Sequence, residues 1–312
     1  MPRPVSAPSL ALAPPLHPGD RVRLVAASSA LEQATRLEEG IAILRSWGLD
    51  VEPRSQELVG RRWGYLAGAD AERAADLRPE QEDEQSAAGL LACVRGGWGS
   101  ARLLEGDLDL PPGWLLGFSD VTSLLWHRVA RGQSGAIHGP LLTTLAAEPA
   151  WSRERLRALL FGQPLADLRG TPWGGGQAEG PLLVANLTVA THLLGTAHLP
   201  NLDGAILILE DVGEAPYRLE RMLTHWRLCG ALGRLGGLGF GSFSGCEEAD
   251  GRADEPADRR FSVAEVLQER SADLAIPLVA DLPVGHTPGN AALPLGVRAR
   301  LDGDSGNLSL LP

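Results

Sequence analysis

Short apolar runs alternate with helical patterns along the first half of the chain. Residues 20–30 alternate polar and apolar side chains and then become small or apolar, which is typical of a buried first strand. Residues 32–47 repeat apolar side chains at helical spacing, and the apolar runs at 88–94 and 114–116 predict further strands. Strands that alternate with helices predict an α/β domain with a largely parallel sheet, whose functional loops lie at the carboxyl ends of the strands.

The pattern weakens between residues 149 and 180 and then resumes. This interval holds one predicted helix, in "WSRERLRALLFG", and the segment "TPWGGGQAEG", whose glycines predict a flexible connection. Later predicted elements are a helix at 186–195, a strand at 204–211, and helices at 217–229 and near 262–270. The sequence therefore predicts two α/β domains, residues 1–148 and residues 181–312, joined by a linker over residues 149–180.

One junction between a strand and a helix carries the first candidate for chemistry. In "PGWLLGFSDVTSLLWHRVA", residues 112–130, an apolar run stops at Gly117 and a helical pattern begins directly after Asp120. Ser119 or Asp120 can cap this helix by accepting its free N–H groups. Alternatively, a sharp elbow between strand and helix exposes the Ser119 hydroxyl as a nucleophile. The junction alone leaves both interpretations open.

The composition limits the chemistry that such a serine can use. The 312 residues carry a net charge of −11, which argues against a general nucleic-acid binder. All 28 basic residues are arginine, so a Ser–Lys dyad, a Schiff base and a phosphate-loop lysine are excluded. The glycine-rich segment 236–245 lacks the strand–GxGxxG–helix context of a dinucleotide site. We therefore expect no cofactor.

Cysteine usage and hydropathy indicate where the protein works. Its three cysteines are odd in number and show no C-x-x-C spacing, which favours a reducing compartment and no zinc site. The acidic stretch 246–260 is expected to be a solvated loop rather than a metal site. No apolar stretch is long enough to cross a membrane, and the N-terminal segment is a poor signal peptide. These features predict a cytoplasmic protein without a metal and without membrane contact.

A serine nucleophile needs a base, and in the absence of lysine histidine is the natural choice. His286 lies in the segment "LPVGHTPGNAALPLG", and His138 ends a predicted strand; the other five histidines fall in the N-terminal segment, in helices or in a connection. Glu210 and Asp211 close an apolar strand at the sheet edge where ligands bind. These acids can orient a histidine, or they simply favour the start of the next helix. Ser119, Glu210 and His286 thus form a possible triad.

The segment "RGGWGS" follows the predicted strand at 88–94 directly. Gly96 and Gly97 can leave backbone N–H groups pointing outward, where they would bind an anion or stabilise an oxyanion. The alternative is a tight turn that only connects a strand to a helix, and the spacing alone does not decide between the two.

Several ordered motifs together resemble one family. They are "HPGDRVRLVAASSA", "YLAGADAERAADL", "ACVRGGWGSARLL", "LLGFSDVTSLL", "AIHGP", "VANLTVATHLLGT", "ILILEDVGEAPYRLERMLTHW" and "LPVGHTPGNAALPLG". In this order they resemble the LD-carboxypeptidase family of serine peptidases over nearly the whole chain. The resemblance implies an N-terminal Rossmann- or flavodoxin-like (class I glutamine-amidotransferase-like) parallel sheet and a smaller C-terminal α/β domain. It also implies a triad in which Ser119 attacks the scissile carbonyl, His286 takes its proton and Glu210 orients His286.

The resemblance further implies the remaining parts of the site. Backbone N–H groups of Gly97 and Asp120 would form the oxyanion hole, and Arg95 and Trp98 are candidates for substrate binding. The implied reaction removes the terminal D-alanine of murein tetrapeptide by cleaving an L–D peptide bond, without metal or cofactor. By analogy with the family, a homodimer is expected.

Two alternative functions stay open. The family also contains microcin immunity peptidases, which hydrolyse peptidyl or aminoacyl nucleotides; Trp173 would then stack on the base, or it packs between the domains. The other alternative is a catalytically silent muropeptide binder, against which an intact triad argues.

The chain departs from the family pattern at three places. Val184 and Ala185 precede Asn186 where glycines are usual, Thr287 replaces a common glycine, and the stretch before the strand at 88–94 is unusually polar. None of these changes affects the triad. The first two predict an altered pocket rather than altered chemistry.

Overall fold

The computed structural model describes residues 7–78, 88–247 and 261–312. The described strands are β1 (Arg21–Val25), β2 (Asp50–Val51), β3 (Leu90–Cys93), β4 (Trp114–Gly117), β5 (Ala136–His138), β6 (Leu168–Arg169), β7 (Thr171–Gly174), β8 (Gln177–Asn186), β9 (Ile206–Val212), β10 (Gly237–Ser244), β11 (Leu278–Ala280), β12 (Leu293–Pro294), β13 (Arg298–Asp302) and β14 (Asn307–Leu310). The described helices are α1 (Thr35–Ser46), α2 (Ser55–Gly60), α3 (Asp70–Ala75), α4 (Thr122–Ala130), α5 (Leu142–Leu145), α6 (Ala150–Leu160), α7 (Leu187–Leu193), α8 (Pro216–Leu228) and α9 (Val263–Ser271). The predicted alternation of strands and helices is confirmed. The polar stretch before β3 and most of the acidic stretch after β10 lie outside the described residues.

The first sheet has the strand order β12-β5-β4-β3-β1-β2 among the described strands, and the strands from β5 to β2 run parallel. Strands β3 and β4 are buried along their whole length, as expected for a parallel sheet with apolar clusters on both faces. At one edge β12 pairs antiparallel with β5, so that Leu293 lies opposite His138. A strand from the C-terminal part of the chain therefore extends the N-terminal sheet.

The second sheet has the order β6-β14-β13-β8-β9-β10-β11-β7 within the described residues, with β8 to β11 parallel and antiparallel strands outside them. The glycine-rich segment 236–245, weighed above as a nucleotide site, contains the central strand β10. A Cβ at Gly241 would lie 2.3 Å from the carbonyl oxygen of Val284. The glycine therefore lets β10 approach the loop that follows β11 closely, which explains its presence by packing.

The predicted flexible connection at residues 171–180 is wrong. Helix α6 forms as predicted, but β7 pairs with β11 and β8 begins at Gln177, so this segment belongs to the second sheet. A Cβ at Gly175 would lie 2.1 Å from the carbonyl oxygen of Ile276. Gly175 thus permits close backbone packing between β7 and the residues before β11. The domain limits 1–148, 149–180 and 181–312 stay a prediction.

The described residues show neither a bilayer-spanning helix nor a metal-ligating cluster. Among them no helix is both long enough and apolar enough to span a bilayer. The same residues contain no group of three or more histidine, cysteine or acidic side chains placed to hold a metal ion. All three cysteines lie in the described ranges and are free thiols, and Cys93 is buried in β3 as its apolar surroundings predict.

Candidate active site

Ser119 occupies a strained elbow between β4 and α4. The chain turns through a short 3-10 segment at Ser119–Val121, and Ser119 has a φ of 62°, a left-handed conformation that non-glycine residues rarely adopt. A Cβ at Gly96 would lie 3.2 Å from the Ser119 hydroxyl oxygen, so the elbow packs tightly on the glycine turn that follows β3. The first turn of α4 receives no side-chain cap. The geometry therefore favours the elbow interpretation over a helix cap.

Asp120 anchors this elbow with its buried side chain. Its Oδ2 atom accepts hydrogen bonds from the Ser28 hydroxyl at 2.6 Å and from the Ser100 backbone N–H at 2.8 Å. Its carbonyl oxygen accepts the hydroxyls of Ser100 at 2.6 Å and Ser123 at 2.9 Å. These contacts join the elbow to the loops that follow β1 and β3. They fix the orientation of the backbone on which the predicted oxyanion donor lies.

His286 and Glu210 form the closest contact between the predicted triad members. Glu210 lies near the carboxyl end of β9 with no exposed surface, and its Oε2 atom is 2.6 Å from Nδ1 of His286. With the carboxylate as acceptor, Nδ1 carries the hydrogen and Nε2 keeps a free lone pair. Burial raises the pKa of the Glu210 carboxyl, and the hydrogen bond from His286 opposes this rise. Glu210 thus holds one tautomer of His286.

Ser119 and His286 line the same cavity, whose volume is about 620 Å³. The residue before the serine, Phe118, packs against the His286 ring with 4.8 Å between the ring centroids. A second cavity of about 250 Å³ also contacts Phe118 and His286. The structure therefore brings the predicted nucleophile and base to one cleft, although they are 167 positions apart in the sequence.

The predicted oxyanion turn is tightly packed and hydrogen-bonded to Ser29. Gly97 has a φ of 110°, and a Cβ there would lie 2.3 Å from the Ser29 hydroxyl oxygen. That hydroxyl accepts the backbone N–H of Trp98 at 3.0 Å, and the N–H of Ser29 in turn bonds to the Gly96 carbonyl at 3.3 Å. Only glycine fits this position. Gly97 also forms part of the wall of the larger cavity.

The predicted substrate-binding side chains are placed differently from one another. Arg95 lines the larger cavity and is held there by a 2.6 Å hydrogen bond to the Ala30 carbonyl. Trp98 is 44% exposed and is absent from the lining residues described for either cavity. Arg36, on α1, lines both cavities, and the sequence analysis missed it. An exposed arginine in an amphipathic helix carries no local signal that would have singled it out.

Trp173 does not lie at this cleft. It belongs to β7 and packs against Phe240 of the second sheet, with 5.7 Å between the ring centroids. It is absent from the lining residues described for the two cavities. This position favours a packing role within the second sheet over the nucleobase platform considered from the sequence.

Asp211 and the departures from the family pattern differ in where they lie relative to the cavities. Asp211 accepts hydrogen bonds from the Asn186 side chain at 3.0 Å and from the Thr188 backbone N–H at 2.9 Å, so it holds the start of α7. Val184 and Ala185 are buried in β8 and are not among the lining residues described for either cavity. Thr287 lines the smaller cavity. Of the two departures, Thr287 is therefore the one placed to alter the pocket.

His138, weighed above for its place at a strand end, is buried behind Phe118. Its Nε2 atom lies 3.2 Å from Oδ1 of Asn290, an oxygen that also accepts the backbone N–H of Gly285 at 3.0 Å, so Nε2 carries the hydrogen. Burial lowers the pKa of His138 from 6.5 to about 3. This histidine is therefore neutral at physiological pH and is placed to support the His286 loop.

Acidification is expected to destabilise the fold through His138. Between pH 6.5 and 3 the unfolded chain binds a proton at this residue and the native protein does not, so stability falls as the pH falls. The loss is about 1.4 kcal/mol per pH unit, or roughly 3 kcal/mol at pH 4.5. We expect His138→Gln to remove about this much of the acid sensitivity in urea unfolding at pH 6.5 and 4.5. The exposed His225→Gln serves as the control, and an equal acid sensitivity in His138→Gln and wild type would contradict the assignment.

The chain is similar to known proteins over most of its length. The family model of the LD-carboxypeptidase N-terminal domain matches residues 22–139, and that of the LD-carboxypeptidase C-terminal domain matches residues 179–301. A protein of Synechocystis sp. named as a carboxypeptidase is 48% identical over 301 residues, covering 95% of this chain and 96% of that protein. The murein tetrapeptide carboxypeptidase of Pseudomonas aeruginosa is 34% identical and covers 91% of this chain and 94% of that protein.

A solved structure shows the same fold. The microcin C7 self-immunity protein MccF in complex with glutamyl sulfamoyl guanosine superimposes with a TM-score of 0.79 at 22% identity, over 96% of this chain and 98% of the other. The predicted two-domain α/β fold is thereby confirmed. The chain belongs to the LD-carboxypeptidase family, and its relatives support a carboxypeptidase role.

Proposed function

We propose that this protein is a serine carboxypeptidase that releases the terminal D-alanine of murein tetrapeptide. The observation that carries the proposal is the 2.6 Å contact between His286 and the buried Glu210, in a cleft that also contains Ser119 on its strained elbow. Acyl transfer requires a nucleophile, a base and an orienting carboxylate in one cleft, and this cleft offers all three.

The reaction proceeds in two steps. The Ser119 oxygen attacks the carbonyl carbon of the scissile L–D peptide bond while Nε2 of His286 takes the hydroxyl proton. Glu210 stabilises the imidazolium, which protonates the amide nitrogen as the C–N bond breaks; D-alanine leaves and the tripeptide stays as an ester of Ser119. Next a water molecule, deprotonated by His286, attacks the ester carbonyl. The C–O bond to Ser119 then breaks, His286 returns the proton to the serine oxygen, and the tripeptide is released. Backbone N–H groups of Gly97 and Asp120 would stabilise the negative oxygen that forms in each step.

Arg36 and Arg95 are proposed to bind carboxylates of the substrate. Both line the cavity that contains Ser119, and murein tetrapeptide carries several carboxylates, including that of its terminal D-alanine. A guanidinium pairs with a carboxylate through two parallel hydrogen bonds. Arg36 lines both cavities, whereas Arg95 lines the larger one and is bonded to the Ala30 carbonyl, so Arg36 is proposed to select substrates by their free C-terminus.

Arg36→Gln is expected to weaken recognition of the terminal carboxylate. Loss of a charged hydrogen bond of this kind costs about 1.5–3 kcal/mol, so kcat/KM for tetrapeptide should fall roughly 10- to 100-fold. A tetrapeptide with a C-terminal amide should be hydrolysed equally by both proteins, and Arg36→Lys should lie in between. Steady-state kinetics with the acid and the amide test this. An equal loss of kcat/KM on the acid and the amide would show that Arg36 does not bind the terminal carboxylate.

Hydrolysis of aminoacyl nucleotides is the second candidate, because MccF shares the fold. The two functions separate when wild-type protein is given murein tetrapeptide, the same peptide ending in L-alanine, and an aspartyl sulfamoyl adenosine at equal concentrations. We expect release of D-alanine to dominate and the L-alanine peptide to stay intact. Preferential hydrolysis of the nucleotide would assign the immunity-type function. Binding of tetrapeptide without hydrolysis of any substrate would assign the muropeptide-binding alternative.

We further propose that the protein acts in the cytoplasm as a homodimer, without nucleic acid, membrane or metal partners. The support is the free cysteines, the net charge of −11 and the family. Light scattering at micromolar concentration tests the oligomeric state. A monomer mass would contradict the dimer without affecting the proposed reaction.

A further inference from the structure

The loop that carries His286 is held mainly by residues of the N-terminal part of the chain. Glu148, between α5 and α6, is buried, and its Oε2 atom accepts the backbone N–H groups of Gly289 at 2.7 Å and Asn290 at 3.0 Å. On α6, the Ser152 hydroxyl donates to the Asn290 carbonyl at 2.8 Å. The backbone N–H and C=O groups of Asn290 are therefore both hydrogen-bonded to side chains that lie 142 and 138 positions earlier in the chain.

The Asn290 side chain in turn binds the start of its own loop, at Gly285, and His138. Its Oδ1 atom accepts the N–H of Gly285 at 3.0 Å and that of the His138 ring at 3.2 Å. Gly285 directly precedes His286, and a Cβ at Gly285 would lie 2.9 Å from Oε2 of Glu210. A small displacement of Gly285 therefore changes the spacing between His286 and Glu210.

The loop needs such constraints because its backbone is unusual. Gly285 has a φ of 123° and Gly289 a φ of 104°, and at these positions glycine has many accessible conformations in an unconstrained chain. Hydrogen bonds from backbone N–H groups to a carboxylate are shorter and stronger than those to neutral acceptors. Glu148 supplies two of them at the far end of the loop.

We propose that Glu148 is a positioning residue, a role that rests on the proposed reaction. Glu148 fixes residues 289 and 290. Through Asn290 it keeps His286 correctly placed relative to Glu210 and Ser119. The Oε2 atom of Glu148 binds the loop backbone rather than Ser119, His286 or Glu210, although the residue also lines the smaller cavity. Its effect is to keep His286 oriented, and misplacing a catalytic group by about 1 Å can cost about 100-fold in rate.

Three variants test this role. Glu148→Ala removes both acceptor contacts, Glu148→Gln keeps an acceptor oxygen without the charge, and Glu154→Gln on α6 changes an exposed carboxylate as a control. With murein tetrapeptide we expect kcat of Glu148→Ala to fall roughly 10- to 100-fold with KM changed less than about twofold, a smaller fall for Glu148→Gln, and wild-type behaviour for Glu154→Gln.

A proton NMR measurement reports on the same loop without any substrate. The hydrogen shared by His286 Nδ1 and Glu210 should give a far-downfield resonance in wild type that is lost or broadened in Glu148→Ala and kept in Glu154→Gln. If wild type releases no D-alanine, the carboxypeptidase proposal fails, and this resonance alone decides the role of Glu148. If Glu148→Ala does not fold, the same comparison is made with Glu148→Gln. An unchanged resonance together with wild-type kcat in the folded variant would overturn the proposal.

Discussion

Ser119→Ala is expected to reduce release of D-alanine from murein tetrapeptide by at least about a thousandfold, because no other group at the elbow can form the acyl-enzyme. Substrate binding should persist, since the serine hydroxyl contributes little to the cavity wall. Quantitative amino-acid analysis of D-alanine gives the rate, and isothermal titration of the variant with tetrapeptide gives the affinity. The exposed Ser46→Ala on α1 is the matched control and should behave as wild type.

A serine-reactive fluorophosphonate gives an independent measure of the same nucleophile. Wild type and Ser46→Ala should be labelled at Ser119, and Ser119→Ala should not be labelled. Retention of more than a tenth of the wild-type rate by Ser119→Ala would remove Ser119 from the mechanism, whatever the labelling shows.

Glu210→Gln should produce the second large loss, a fall in kcat of about 10³- to 10⁴-fold. The neutral amide no longer stabilises the imidazolium, and its NH₂ group can favour the wrong tautomer of His286. KM should change little because Glu210 is fully buried and lies behind His286. Steady-state kinetics with murein tetrapeptide measures both constants.

Glu220→Gln on α8 provides the comparison for this variant, since Glu220 is a carboxylate of the same part of the chain that is absent from the described lining of the catalytic cavity. It should keep wild-type kcat. If Glu210→Gln also kept wild-type kcat, the 2.6 Å contact with His286 would be structural and the proposed triad would reduce to a dyad.

The strands and helices could be predicted because each depends on a local pattern of residues, whereas the triad stays a prediction. Buried parallel strands read as continuous apolar runs, as in Leu90–Cys93, and the abrupt turn at Gly117–Asp120 has a local signature. The glycine run at 174–176 led to a wrong prediction, because a glycine that permits close packing, as Gly175 does, has the same sequence appearance as glycine in a flexible connection. The two kinds of glycine differ only in whether another part of the chain packs against them in the folded protein.

Other parts of the site depend on contacts between distant residues. The carboxylate of Glu148 binds backbone N–H groups 141 and 142 positions away, and backbone donors have no residue-specific signal. Arg36 reaches the cleft only because α1 packs beside it, and Trp173 is kept from the cleft by its packing on Phe240. Such pairings follow from the assembled sheets rather than from any segment of sequence.

Metal-independent serine hydrolysis of the L–D bond can be followed through its products. Purified wild-type protein and Ser119→Ala are incubated with murein tetrapeptide, with and without a chelator, and the products are followed by mass spectrometry. We expect wild type to release equimolar tripeptide and D-alanine, unchanged by the chelator, and Ser119→Ala to release neither product. Intact tetrapeptide after incubation with wild type, or release abolished by the chelator, would contradict the proposed reaction.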